Sequence, residues 1–109
     1  MNPPAWAALI VSIVLEVAGT TCMKFSEGFT RLTPSVLIFV FYGISFYAFT
    51  LAVKKIELGT AYAIWAGAGT ALITVIGILY FREPATLMKL ASISLIIAGV
   101  VGLNLVEHS

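Results

Sequence analysis

Four long apolar runs, each about the length of a membrane span, alternate along this chain with short polar clusters. The first extends from about residue 4 to 23 and is closed by Lys24. The polar stretch KFSEGFTRLT precedes a second run, 34–53, which ends at Lys54 and Lys55. The link KKIELG leads into a third, 60–81, and Arg82-Glu83-Pro84 breaks the chain before a fourth, 86–106. A bilayer core about 30 Å thick asks for about 20 predominantly apolar residues per helical span, so each run predicts one transmembrane helix. Pro4 suits a first helical turn, whereas Pro84 lacks an amide hydrogen and pushes Glu83 away from helical angles. Connections this short make neighbouring helices antiparallel. The expected fold is an all-α membrane protein, a single four-helix domain over residues 1–109 ending in a short polar tail.

Composition strengthens this reading. Of 109 residues, 61% are hydrophobic and 10% charged, with a mean hydropathy of +1.08. A soluble fold this small leaves too much surface exposed to hide so much apolar area. A net charge of +1 gives no reason to expect a nucleic-acid partner. Cys22, the single cysteine, excludes an intrachain disulfide and reads as a small apolar residue in a helix. Met1-Asn2-Pro3-Pro4 has no basic side chain and the first run contains Glu16, so no cleaved signal peptide is expected. The sequence holds no Ser/His/Asp set and no phosphate loop, and His108 has no companions for a metal. Neither an enzyme nor a cofactor or metal site is expected. The polar loop residues read as headgroup anchors.

The charge map is nearly balanced. Lys24, Arg31, Arg82 and Lys89 lie on the side of loops one and three, against Lys54, Lys55 and the N-terminal amine on the other. Loop charge bias sets orientation, and this bias is small. It is compatible with ordinary topology weakly set by loops one and three. It is equally compatible with insertion both ways, which permits an antiparallel pair of identical chains.

Glu16 is the anomaly within the first run. An ionised carboxylate near a helix centre costs roughly 2.5–3.5 kcal/mol or more, and the second and third runs contain no ionisable Lys, Arg, Asp, Glu or His. The bilayer therefore favours the neutral carboxyl until a cation arrives. A site that takes either a proton or a cation is the minimal chemistry of proton-coupled exchange. The bland alternative is a permanently protonated Glu16 bonded to Ser12 or Thr20. Both lie four residues away on the same face and line the site in either case.

In the third run, Tyr62 and Trp65 are three apart and share a helix face. Aromatic faces attract desolvated cations, Trp best, so a carboxylate with these rings suits an organic cation. An interfacial aromatic belt is the competing role for Tyr62. Gly67 and Gly69 follow, and allow either a bend in mid-helix or close packing. In the second run Tyr42 and Ser45 are spaced to reach the same cavity, while Phe39, Phe46 and Phe49 form a stripe that reads mainly as lipid-facing or packing surface. The fourth run carries Ala98 and Gly102 as a small-xxx-small pair, and Ser92 and Gly99 one heptad apart. Such faces permit close helix approach in lipid, within the monomer or between subunits.

The segments LEVAGTTCMKFSEGFTRLTPS and GTAYAIWAGAG resemble the small multidrug resistance family, and the likeness extends over nearly the whole chain in length and span order. The resemblance implies a bacterial inner-membrane exporter, multi-pass, acting as an antiparallel dual-topology homodimer in the lipid bilayer. It implies exchange of protons for small organic cations such as quaternary ammonium compounds, with Glu16 binding both. It also implies binding roles for Tyr42, Tyr62 and Trp65, a kink at Gly67 and Gly69, and a dimer contact at Gly99. Ser92 stands where the first glycine of that contact motif is usual, and Ala66 where a serine is usual. The guanidinium-exporting branch carries a tryptophan three residues after the glutamate; Gly19 there points to the multidrug branch, whereas FREP is closer to the guanidinium branch. A non-transporting ring component and an obligate heteromeric partner are the rival readings. The place of Glu16 in the first of four spans argues against the one, and the weak charge bias against the other.

Overall fold

A computed structural model of the chain describes residues 3–108; Met1, Asn2 and Ser109 lie outside them, as does the side chain of His108, for which no metal is expected. Four helices form, α1 Pro3–Phe25, α2 Leu32–Ala52, α3 Leu58–Leu79 and α4 Leu87–His108. All four are long and apolar enough to cross a membrane.

Local chemistry sets the helix ends. Pro3 and Pro4 occupy the first turn of α1, where their missing amide hydrogens cost nothing. After α1 the chain turns through three consecutive left-handed residues, Glu27 (φ 50°), Gly28 (φ 72°) and Phe29 (φ 68°). The buried Ser26 organises this turn: its hydroxyl donates to Met23 O (2.8 Å) and accepts from Phe29 N–H (3.2 Å), while its carbonyl accepts from Thr30 N–H (2.9 Å). Helix α2 begins at Leu32, two residues before the expected start, because Pro34 fits within a first turn. Helix α3 stops at Leu79, short of Phe81; the left-handed Arg82 (φ 58°) reverses the chain and Glu83 N–H returns to Gly77 O at 3.0 Å. Thr86 Oγ1 then accepts from Lys89 N–H (3.1 Å), an N-cap for α4. Helix α4 continues through the expected polar tail to His108.

The helices do not close into a bundle. Helix α1 packs along α2 and more lightly on α3, and α4 leans on α3. The core is a narrow strip of Ala5, Leu9, Ile13 and Val17 from α1 with Ala52, Ile56, Ala61 and Ile64. The span window of α4 has no buried residue. The resulting slab measures 45 × 35 × 17 Å. It exposes 6875 Å², more than the about 5,800 Å² that area–mass scaling gives for a compact soluble monomer of this mass.

Candidate functional site

Glu16 projects from the middle of α1 towards α3, half-buried, into a cleft of about 310 Å³ lined also by Thr20, Trp65, Gly69 and Ile73. One carboxylate oxygen, Oε1, accepts from Thr20 Oγ1 at 2.9 Å, one helical turn on. The other, Oε2, rests against Gly69: a Cβ built there would stand 2.8 Å from it. Helices α2 and α3 carry no charged residue. The next basic residue on α1, Lys24, is eight residues away, about 12 Å along the axis, and its ammonium lies over the Phe81 ring instead, 6.0 Å from the centroid.

The hydrogen-bonded chain continues past Thr20. Its hydroxyl lies 2.5 Å from Tyr42 Oη, and Tyr42 Oη also reaches Met23 Sδ at 3.8 Å. A hydroxyl has one proton to give. When Thr20 donates to Glu16, Tyr42 must donate to Thr20, which links α2 to the carboxylate through two hydroxyls. The close approach of α2 depends on Gly19, where a Cβ would stand 2.7 Å from Tyr42 Cδ1.

Trp65 forms an aromatic wall. Its ring lies 5.7 Å from Tyr62, 5.4 Å from Phe49 and 6.3 Å from Phe46, centroid to centroid, and Phe46 reaches Tyr42 at 6.0 Å. The indole Nε1 is buried without a hydrogen-bond acceptor among the described residues. Tyr62 is 56% exposed and touches the wall through Trp65 and Phe49 rather than lining the Glu16 cleft.

Other residues singled out in the sequence lie elsewhere. Ser45 and Ser12 are both fully buried in the α1–α2 seam, where Ser45 Oγ donates to the Ser12 carbonyl at 2.7 Å; the Ser12 hydroxyl has no partner among the described residues. Neither lines the Glu16 cleft. Gly67 and Gly69 sit within the unbroken helix α3. Gly67 meets α4, its would-be Cβ 2.7 Å from Val100 Cγ2, whereas Gly69 meets Glu16. Ser92 and Gly99 lie on the exposed surface of α4, and Gly99 has open space before it.

Sequence reasoning did not reach the parts played by Gly19, Phe46 and Phe49. The aromatic spacing in FYGISFYAF carried a signal for the two rings, since Phe46 and Phe49 share a face. Nothing in the sequence marked Gly19 as the seat of Tyr42.

Comparison with known proteins matches residues 4–96 to the family described as Small Multidrug Resistance protein. An uncharacterized membrane protein of Bacillus subtilis strain 168, YvaE, is 54% identical over 94% of this chain and 87% of its own. The quaternary ammonium compound-resistance protein QacE of Escherichia coli is 43% identical over 95% of this chain and 94% of its own. A guanidinium exporter of Yersinia pseudotuberculosis serotype I is 40% identical over 93% and 97%.

Proposed function

This chain belongs to the small multidrug resistance family and is a multi-pass protein of the bacterial inner membrane; from that premise we propose that it is a proton-coupled antiporter exporting lipophilic, aromatic organic cations. The observation that carries the reading is Glu16 itself, a carboxylate with no cationic side chain on α2 or α3, opening into a cleft beside Trp65. Charge on one wall and aromatic faces on the other match a cation with flat apolar substituents.

Proton and cation compete for the same oxygens. In the ionised state Thr20 donates to Glu16 and Tyr42 donates to Thr20. Protonated Glu16 instead donates to Thr20, Thr20 donates to Tyr42, and Tyr42 turns its proton to Met23 Sδ. Reversal of this chain lets both states of the carboxyl remain hydrogen-bonded, which limits the cost of either within the bilayer.

The transporting unit is an antiparallel homodimer. One chain is a slab 17 Å thick with its cleft open at the side and no buried residue in the α4 span. A second, inverted copy supplies the missing wall and brings two Glu16 carboxyls into one cavity. Exchange of the two copies' conformations exposes the cavity to the opposite side, as inverted repeats do within larger transporters. Protons load from outside, a cation displaces them inside, and the inward proton gradient drives export.

A second reading, export of guanidinium, is supported by the relative so named, whose identity to this chain is within a few per cent of the quaternary ammonium protein's. Purified protein in liposomes with an imposed pH gradient separates the two. Flux of an aromatic quaternary cation, abolished by Glu16→Gln, is expected. Flux of guanidinium alone transfers the reading to the second substrate class, and flux that survives in Glu16→Gln overturns the mechanism.

A further inference from the structure

A larger cleft of about 370 Å³ lies at the end of the molecule formed by loops one and three. It adjoins the Glu16 cleft, with which it shares Thr20 and Ile73. It has a carboxylate of its own. The left-handed turn at Arg82 folds Glu83 back onto α3, so that its carboxylate packs on Gly77, in space that any larger residue at position 77 would fill. One aromatic ring, Phe81, lines it and belongs to a ring cluster in which Phe25 lies 5.4 Å from Phe81 and 5.8 Å from Tyr80. A cation is already in attendance, since Lys24 Nζ lies over the Phe81 ring and Lys24 lines the cleft beside Glu83.

We propose that this cleft is a second, outlying cation-binding site, in which Glu83 and Phe81 hold an aromatic organic cation at the mouth and Lys24 is the tethered cation that the ligand displaces. The elements that recur are an acidic group and an aromatic face around a mostly apolar space, the same chemistry as at Glu16. The difference lies in hydration. Glu83 and Lys24 are exposed, at the end of the helices, so binding here is weaker and faster than at the half-buried Glu16. A cation held at the mouth is one helical turn from the Thr20 hydroxyl, which is common to both clefts; Lys24 follows Thr20 by four residues. The ligand class rests on the export reading above, whereas the site rests on the cleft and its glycine-seated carboxylate.

The test uses nitrogen-15-labelled protein in lipid bicelles, with tetraphenylphosphonium as the probe and Glu16→Gln as the background that removes the central carboxylate. Saturable shifts of the Gly77, Phe81 and Glu83 amide resonances are expected. Adding Glu83→Gln should weaken this binding about fivefold, the upper range for an exposed charge contact. Adding Lys24→Gln should instead tighten it about threefold, as an occupied ring face is released. That gain cannot come from misfolding. Arg82→Gln, on the same loop but outside the cleft lining, should change affinity by less than Lys24→Gln does. Shifts that never saturate, or that respond equally to Lys24→Gln and Arg82→Gln, overturn the site in favour of a general surface field. Liposome flux of the same probe separates the two claims. Flux that requires Glu16, without saturable binding at the mouth, removes only the outlying site; saturable binding at the mouth without Glu16-dependent flux keeps the site and removes the export reading.

Discussion

Gly19 lies directly beneath the ring of Tyr42, so close that a Cβ would stand 2.7 Å from Cδ1 and 2.8 Å from Cε1. A glycine on α1 thus sets where an α2 hydroxyl meets Thr20, and through Thr20 the carboxylate of Glu16. Gly19→Ala should therefore act as a positional change on Tyr42. Cation affinity is expected to fall about three- to tenfold, in the range of one hydrogen bond, with Tyr42→Phe giving a similar loss. The two substitutions combined should lose little more than either alone, because they break the same link. Equilibrium binding of an aromatic quaternary cation in detergent measures all three; full additivity would show that Gly19 acts elsewhere.

Gly69→Ala confronts a different neighbour. The added Cβ meets Glu16 Oε2 at 2.8 Å, the far end of a side chain that has room to swing. The helix should therefore form and insert normally, while the carboxylate leaves its place beside Trp65. Proton-driven flux is expected to fall about tenfold or more, consistent with the loss from misplacing a reacting group by about 1 Å. An unchanged thermal unfolding midpoint alongside that loss is the expected signature.

Gly67→Ala should do the reverse. Its Cβ meets Val100 Cγ2 at 2.7 Å and Ile96 Cγ2 at 3.3 Å, both on branched side chains of α4 with few rotamers to escape into. Overpacking of this kind costs about 1–3 kcal/mol. Denaturant titration should show the loss, and Val100→Ala in the same chain should restore much of it.

Ser45→Ala tests the seam rather than the site. It removes the 2.7 Å hydrogen bond to the Ser12 carbonyl between α1 and α2. Hydrogen bonds between membrane helices average about 0.6 kcal/mol, so a small loss of stability is expected. Flux per folded molecule should not change; a large fall would place Ser45 in the transport path.

The elements of this fold were legible because a membrane span is written in bulk hydropathy, and the interruptions at Lys24, Lys54, Lys55 and Pro84 are unambiguous. Glu16 stood out for the same reason: its cost in lipid is visible without coordinates. Faces were harder to read. In a soluble helix the polar side announces the core, but helices apolar all round carry no such stripe. Ser12 is four residues from Glu16, as Thr20 is, yet only Thr20 reaches the carboxylate, while Ser12 lies in the seam. Phe46 and Phe49 read as either lipid-facing or packing surface for lack of any polar marker, and it is packing, against Trp65, that they do. Gly19, Gly67 and Gly69 look alike in sequence and meet a tyrosine ring, a valine and a carboxylate respectively.

A slab 17 Å thick is less than two helix diameters across, each helix with its side chains being about 10–12 Å wide. Among the described residues, none is therefore more than one helix removed from acyl chains or from whatever replaces them. Lateral pressure and lipid thickness act on the back of the same helices whose fronts hold Glu16 and Trp65. For this protein the composition of the membrane is a structural variable of the binding site, on the same footing as its amino acids.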